Sequence, residues 1–557
     1  METIDQPTES LPEGHADSQR PGSTDDRSTT PAQRTSIPER KSVVARVTSR
    51  ILSDGSLTKK ASLNAAASIA EQVARVIAGF VVTPFLVTRL GDSVFGIWQV
   101  LQRLIAHTSP VGGRPGEALK WTVAHAQSSA DYEWKRRQVG NAVAVWLLFI
   151  PVLTLIGGVA AWFSPVWMHV PTGSYTTVRL AGAILVFEDV LFGLFYLPQS
   201  VLQGENLGYK RLGLSVLLVV INKALLVAAV VFGAGLIGLA MAVAAGTVLW
   251  GLLYLYIARS QVTWFGVARP SLAEVRSFLS LSWWFLLWNE VMTIMLGADI
   301  VVLGIAGSPA LVTTYTLARY LPQAITLAIA TLIFAIMPGL GGLIGAGDLG
   351  RAIRIRNETM SLVWLMTVIA SATVLLWEKS FLHLWVGERY YPGAATVLII
   401  MLMVLQFAII RTDSNIIDLT LKLRGKTLLG TVSAALSVGL AFVFVGVLGM
   451  GIIGVVLAFM IGRAILSVAY PWMIGRMLGI PPERQVRGLV RPALATAALF
   501  AGCAILSSAL NVESWVALFP SVAASAGVVA LLAFFAGLSA GSRRVVWRRL
   551  RRVARLR

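Results

Sequence analysis

The chain has 557 residues, 56% of them hydrophobic and only 13% charged, with a formal net charge of +19 and a mean hydropathy of +0.72. So little charge cannot cover the surface of a soluble chain of this length, which excludes that class. The basic residues stand between apolar runs rather than in one patch, a distribution that suits membrane topology and not nucleic-acid binding.

In chain order, residues 1–58 are rich in Ser, Thr, Pro and charge, and are expected to form a disordered cytoplasmic tail. No apolar segment follows the first residues, so a cleavable signal is not expected. Apolar runs of bilayer-spanning length then recur at about 65–88, 93–112, 140–163, 178–200, 212–233 and 236–257. They continue at about 279–304, 311–337, 361–378, 394–419, 428–447 and 451–474, with two more near 492–510 and 515–538. The runs are continuously apolar and not alternating, which predicts helices and not barrel strands. The expected fold is therefore an all-α membrane protein of about 14 transmembrane helices. The glycine cluster Gly339, Gly341, Gly342, Gly345 and Gly347 after Pro338 reads as a loop.

With the N-terminus inside, the inside loops and the C-terminal tail carry 28 Lys and Arg residues and the outside loops carry Arg89, Arg179, Lys379 and Arg389. The positive-inside rule then places both termini in the cytoplasm of an inner (plasma) membrane protein, and the span count must be even. The single cysteine, Cys503, allows no intrachain disulfide and no metal site. No phosphate-binding loop, dinucleotide fingerprint or His/Glu metal motif is present, so no cofactor and no enzymatic activity are expected.

The two halves repeat. Gly235 to Gly246 matches Gly451 to Gly462 at an offset of 216, as Lys210 matches Lys426. Trp98 matches Tyr315 at 217, and Phe163 to Trp167 matches Phe381 to Trp385 at 218. An even repeat of six spans starts both copies on the same membrane face, which makes two parallel repeats plus two C-terminal helices. The expected division is a tail (1–58), a first six-helix bundle (59–259), a cytoplasmic linker (260–278) and a second six-helix bundle (279–476). Two additional helices (477–540) and a basic cytoplasmic tail (541–557) follow.

Short motifs carry a family resemblance. They are Thr83-Pro84, Arg89-Leu90-Gly91 and Phe95-Gly96-Ile97-Trp98 in the first half. In the second half they are Gly297-Ala298-Asp299 through Gly304, Tyr315 through Arg319, Ile336-Met337-Pro338, and Leu384-Trp385-Val386-Gly387 through Tyr391. Over about residues 60–510 the chain resembles the polysaccharide (oligosaccharidyl-lipid) flippase branch of the multidrug/oligosaccharidyl-lipid/polysaccharide exporter superfamily. Thr313 departs from the glycine that this family often has before the aromatic. The resemblance implies two six-helix bundles around a central cavity. It also implies a flippase that moves a polyprenyl-pyrophosphate-linked oligosaccharide to the outer leaflet for cell-surface polysaccharide (lipopolysaccharide or exopolysaccharide) biosynthesis.

Ionisable groups within spans are costly and face partners or wet cavities. Gln99, Arg103 and His107 share one helix face and are expected to line the cavity, with Arg103 on pyrophosphate, because a guanidinium can donate two bonds to it. Arg75, Arg319 and Arg463 complete the expected substrate set, and Arg103 with Arg463 forms the expected cation clamp in a water-accessible space. Glu71 with Arg75, Lys223 with Glu188 or Asp189, and Asp299 with Arg319 are the expected coupling or structural ion pairs, and Asp413 is a further intramembrane acid. Expected partners are the lipid-linked oligosaccharide, membrane lipids, an H+ or Na+ gradient, and glycosyltransferases and a polymerase of the same pathway, with no nucleic acid. The competing readings are a multidrug exporter with an acidic, aromatic cavity, a peptidoglycan-precursor flippase, and a membrane glycosyltransferase or polymerase. The bases Arg103, Lys223 and Arg463 count against the multidrug exporter, and the short loops count against the transferase.

Overall fold

The computed structural model describes residues 57–108, 115–127, 129–207, 213–419, 423–544 and 546–547. The expected tail up to residue 56, Arg114, Lys210, Arg211, Lys422 and the arginines from 548 onward lie outside the described residues. Among the described residues the chain is helical, with no strand. The first half holds α1 (Leu57–Leu90), α2 (Asp92–Ala106), α3 (Pro115–His125), α4 (Tyr132–Trp167), α5 (Tyr175–Gly204), α6 (Leu214–Val231) and α7 (Gly235–Gln261). The second holds α8 (Leu272–Val302), α9 (Pro309–Ala318), α10 (Tyr320–Gly345), α11 (Leu349–Trp385), α12 (Ala394–Asp418), α13 (Leu423–Phe442) and α14 (Gly451–Leu478). Two more, α15 (Pro482–Leu506) and α16 (Trp515–Leu532), follow.

Twelve of these helices are long and apolar enough to cross a membrane, and the α9–α10 pair, bent by 51°, makes a thirteenth. Polar caps set several starts. The Asp131 carboxylate accepts the Trp134 N–H at 2.8 Å to open α4, and Ser271 with Glu274 forms a capping box on α8. Ser308 caps α9 with Pro309 as its first residue, where a missing N–H costs nothing.

Two expectations are corrected. The second span is broken: α2 stops at Ala106, and a separate helix opened by Pro115 replaces the expected loop around Lys120. The glycine cluster is helical as far as Gly345, and only Gly347, with φ of 74°, leaves the helix. Leu340, Leu343 and Ile344 pack into the core beside Ile416 and Ile417 and hold that stretch helical against its low propensity.

The halves pack alike. In the first, α1 lies on α6, α3 on α5, α4 on α5, α5 on α7, and α6 on α7. In the second, α8 lies on α13, α10 on α12, α11 on α12, α12 on α14, and α13 on α14. The short arms α2 and α9 cross at the centre, where a Cβ on Gly96 would overlap the Pro309 carbonyl. The last two spans attach to the second half, with Trp364 Nε1 donating to Thr496 at 3.0 Å and Trp377 Nε1 to Ser525 at 2.8 Å.

The halves meet at one end and part toward the other. At the meeting end Thr313 donates to the Asp92 carbonyl at 2.6 Å, Tyr390 donates to the Asp92 carboxylate, and Arg389 pairs with it at 3.3 Å. Burial, then Asp92, pushes the Tyr390 phenol above its ordinary range, so it stays a donor. Trp385 Nε1 donates to the Phe80 carbonyl at 2.8 Å with the two rings stacked at 5.6 Å, and the Tyr320 hydroxyl donates to the Val76 carbonyl. Among the described residues, none of α3–α7 packs extensively on any of α10–α14. The opposite end is tied through the linker and α8, by Arg136 to the Trp264 carbonyl at 2.9 Å and Arg137 to Glu274 at 3.4 Å.

Candidate functional site

Three arginines and a histidine from both halves converge on one turn of α8. The second half supplies Arg319, at the bend between α9 and α10, and Arg463 on α14. Arg319 pairs with Asp299 and also donates to the Leu296 carbonyl at 3.1 Å. Tyr315 donates to the same carboxylate at 2.7 Å, and Asp299 is fully buried. A buried carboxylate needs such partners, since an isolated charge there would be prohibitively costly. The expected Asp299–Arg319 pairing is therefore present.

Arg463 is 2% exposed. It donates to the Met295 carbonyl, and its guanidinium lies 5.1 Å from the Phe407 ring centroid and 5.4 Å from that of Phe459. It was expected in open, water-accessible space; it is enclosed instead, held by the Met295 carbonyl and flanked by two aromatic rings, with its Nε buried and unbonded.

The first half supplies Arg103 and His107. A Cβ on Gly297 would stand 3.4 Å from Arg103 Cδ and 3.7 Å from His107 Nε2, so this glycine lets both approach α8 closely. His107 Nδ1 is 3.8 Å from Glu290. Arg103 is half-buried and has no hydrogen-bond or ion-pair partner among the described residues. The charges acting on it are those of Arg319 and Asp299. Gln99, one turn away on α2, is also half-buried.

The remaining expected residues divide. Arg75 pairs with Glu71 and stays 58% exposed. Lys223 does not pair with Glu188 or Asp189. Glu188 accepts the Thr247 hydroxyl at 2.5 Å instead, and the charge acting on Lys223 is that of Arg75. Equal depth on neighbouring helices did not bring the groups together, because α5 turns that carboxylate toward α7 and not toward α6. Asp413 is fully buried and takes a bidentate pair from Arg356 at 2.8 Å. With the partners 57 positions apart in sequence, no local pattern could reveal the pair. Cys503 is buried and free.

One cavity of about 350 Å³ lies in the first half between the start of α3, α4 and α5. Glu117, Trp146, Asp189 and Tyr196 are among its lining residues. No group of His, Cys, Asp and Glu among the described residues could hold a metal ion.

No protein-family model and no curated protein sequence matches the chain. Solved structures do. The lipid II flippase MurJ in its inward closed conformation is 14% identical over 84% of this chain and 98% of its own, with a TM-score of 0.63. An inward-facing multidrug resistance MATE family transporter of the MOP superfamily is 15% identical over 73% of this chain and 98% of its own, with a TM-score of 0.56. A MOP superfamily transporter from Pyrococcus furiosus, described by a reversed polarity of its binding pocket, is 15% identical over 76% of this chain and 96% of its own, at 0.51. At these identities the likeness shows the fold: a multi-pass, all-α membrane protein with the architecture of those transporters.

Proposed function

We propose that this chain is a membrane transporter of the MOP type that moves a polyprenyl-pyrophosphate-linked oligosaccharide from the inner to the outer leaflet by alternating access. The observation that carries the reading is Arg103, a half-buried guanidinium without a counter-ion among the described residues, set against α8 near Arg319. The cluster has Asp299 as its buried carboxylate, and the Glu290 carboxylate lies by His107. An excess of positive charge between low-dielectric walls attracts an anionic head group strongly. Lys223 on α6 adds a further cation with no carboxylate partner among the described residues. The polyprenyl tail stays in lipid while the head occupies the gap between the halves.

The abundance of Lys and Arg at the parted end makes that end cytoplasmic under the positive-inside rule, with both termini on the same side. The described conformation is then inward-open, closed at the outer end by Asp92, Arg389 and Tyr390. A proton or sodium gradient drives the cycle, in keeping with a sequence that has no nucleotide-binding motif.

The test is transport of the lipid-linked sugar by Arg103→Gln, Arg103→Lys and the double variant Arg103→Gln, Lys223→Gln. Glutamine at 103 lowers the rate by about tenfold or more, as loss of a charge-assisted contact of roughly 1.5–3 kcal/mol requires. Lysine restores part of it, since charge returns without the fork. Wild-type transport by the double variant, at equal membrane abundance, would sink the reading.

A further inference from the structure

We infer that the cavity between α3, α4 and α5 is a saccharide subsite that takes a neutral or amino-bearing sugar and excludes an acidic one. The inference rests on the carrier reading above and names the part of the substrate that the arginine cluster does not hold. At about 350 Å³, the cavity falls at the small end of the range of about 300–1,000 Å³ found for small-molecule pockets. That suits a short saccharide and not a long chain. Its lining pairs two carboxylates, Glu117 and Asp189, with the rings of Trp146, Phe149, Phe192 and Tyr196.

The lining chemistry selects among the parts of the substrate. Asp189 and the Glu117–Lys120 pair leave no net positive charge to draw a pyrophosphate, and the polar edge they make among apolar walls is wasted on a prenyl tail. Glu117 is already bonded to Lys120 at 2.5 Å and to the Tyr196 hydroxyl at 2.6 Å. It is a satisfied carboxylate and not a bare anion awaiting a cation. The trio offers donors and acceptors together, which matches hydroxyl groups that both donate and accept. The apolar C–H faces of a sugar ring pack on aromatic surfaces, and such surfaces are presented here. Phe192 and Tyr196 stack at 5.6 Å with an interplanar angle of 26°, backed by Trp250 in a nearly parallel plane 6.5 Å from Tyr196.

Position links the cavity to the cation cluster. Leu153, another lining residue, lies one turn of α4 from Gly157. Gly157 packs on Val186 and on Thr108, the residue after His107. A head group at Arg103 therefore has its sugar within a few turns of helix of the cavity. Gly116 serves the cavity as well, since a Cβ there would overlap the Tyr196 ring.

The experiment measures binding to the full chain in nanodiscs. The probes are undecaprenyl pyrophosphate, the same carrier bearing N-acetylglucosamine, the same bearing glucuronic acid, and tetraphenylphosphonium. The N-acetylglucosamine carrier binds about tenfold tighter than the bare carrier, which is about 1.4 kcal/mol, and the glucuronic acid carrier gains nothing. Phe192→Ala, Glu117→Gln and Gly116→Ala each remove that increment while the affinity for bare carrier, which also reports folding, stays within about twofold. Equal wild-type affinity for all three carriers overturns the subsite and leaves the transporter reading standing. So does a sugar increment that survives all three variants, or tetraphenylphosphonium binding that needs Glu117 while the sugar increment does not. Failure of the bare carrier to bind, or binding indifferent to Arg103→Gln, overturns the carrier reading and the subsite with it.

Discussion

The two halves agree in backbone and differ in charge. Gly233 and Gly235, at φ of 70° and 56°, turn α6 into α7; Gly449 and Gly451, at 64° and 55°, turn α13 into α14 at the same offset of 216. Gly246 is pressed against the Asn222 side chain and Gly462 against Ser437, so a Cβ at either would overlap its neighbour. Both halves also keep a buried lysine near the parted end. Lys135 pairs with Glu205 at 3.1 Å and lies over Trp264, and Lys426 pairs with Asp418 and lies over Trp288. Deeper in the bilayer they diverge. The second half forms two buried ion pairs, Asp299–Arg319 and Asp413–Arg356, with Arg463 held by the Met295 carbonyl, while Arg103 and Lys223 in the first half have no carboxylate partner among the described residues. Helix crossings are fixed by close packing and tolerate little change. Buried charge is free to be redistributed provided each group finds a partner, a wet cavity or a ligand.

The sharpest break of this comparison lies at Asp413. Asp413→Asn strands the Arg356 guanidinium, which is 8% exposed, and costs about 3–5 kcal/mol. It shows as a large drop in the thermal midpoint of the purified protein and in membrane abundance, and the double variant with Arg356→Met recovers much of the loss. Lys223→Gln in the first half strands no carboxylate and leaves the midpoint nearly unchanged. Equal losses at 413 and 223 would show that the first half is internally paired after all.

A smaller effect tests the shared backbone. Gly246→Ala and Gly462→Ala each force a side chain into a helix crossing and cost roughly 1–3 kcal/mol. Gly439, on α13 two residues after Ser437, has open space within 4 Å of the place a methyl group would take, and its alanine variant is neutral or gains up to about 1 kcal/mol of helix propensity. Midpoints of the three variants decide the matter. A neutral Gly462→Ala beside a damaging Gly246→Ala would mean the two crossings are not equivalent.

What the sequence discloses follows from how far each signal reaches. Spans and the repeat are legible because hydrophobic runs and glycine spacing are local patterns. The pair of Asp299 with Arg319 is legible because the two residues stand only 20 positions apart, across the turn that joins α8 to α9. The interruption of the second span is visible in Arg103 and His107, but its consequence, a second short helix from Pro115, is not. Arg356 with Asp413, and Arg463 with the Met295 carbonyl, join residues 57 and 168 positions apart. No window on one helix contains both partners. Depth alone also misled at Glu188 and Lys223, since sharing a level in the bilayer says nothing about facing.

The smallest expected effect is at the join of the two halves, where α8 begins. Glu274 accepts the Ser271 N–H at 2.8 Å, donates its own N–H to the Ser271 hydroxyl at 3.2 Å, and lies 3.4 Å from Arg137 on α4. The backbone bond from Ser271 holds its carboxyl below the usual value of 4.5, with the Ser271 hydroxyl and Arg137 acting in the same direction. A folded pKa below the unfolded one means the unfolded chain binds the proton more readily. The stabilisation is therefore fully present above the unfolded value and is lost as pH falls through the lowered folded value. Glu274→Gln should lower the thermal midpoint slightly at pH 7, and the gap to the parent should close as pH drops below about 4. Because Glu274 lies at the surface, added salt should narrow the gap at neutral pH as well. A gap that is the same at pH 7 and at pH 3.5 would mean that the cap acts through neutral hydrogen bonding alone. The link between α8 and Arg137 would then carry no charge-dependent share of the attachment of the second half to the first.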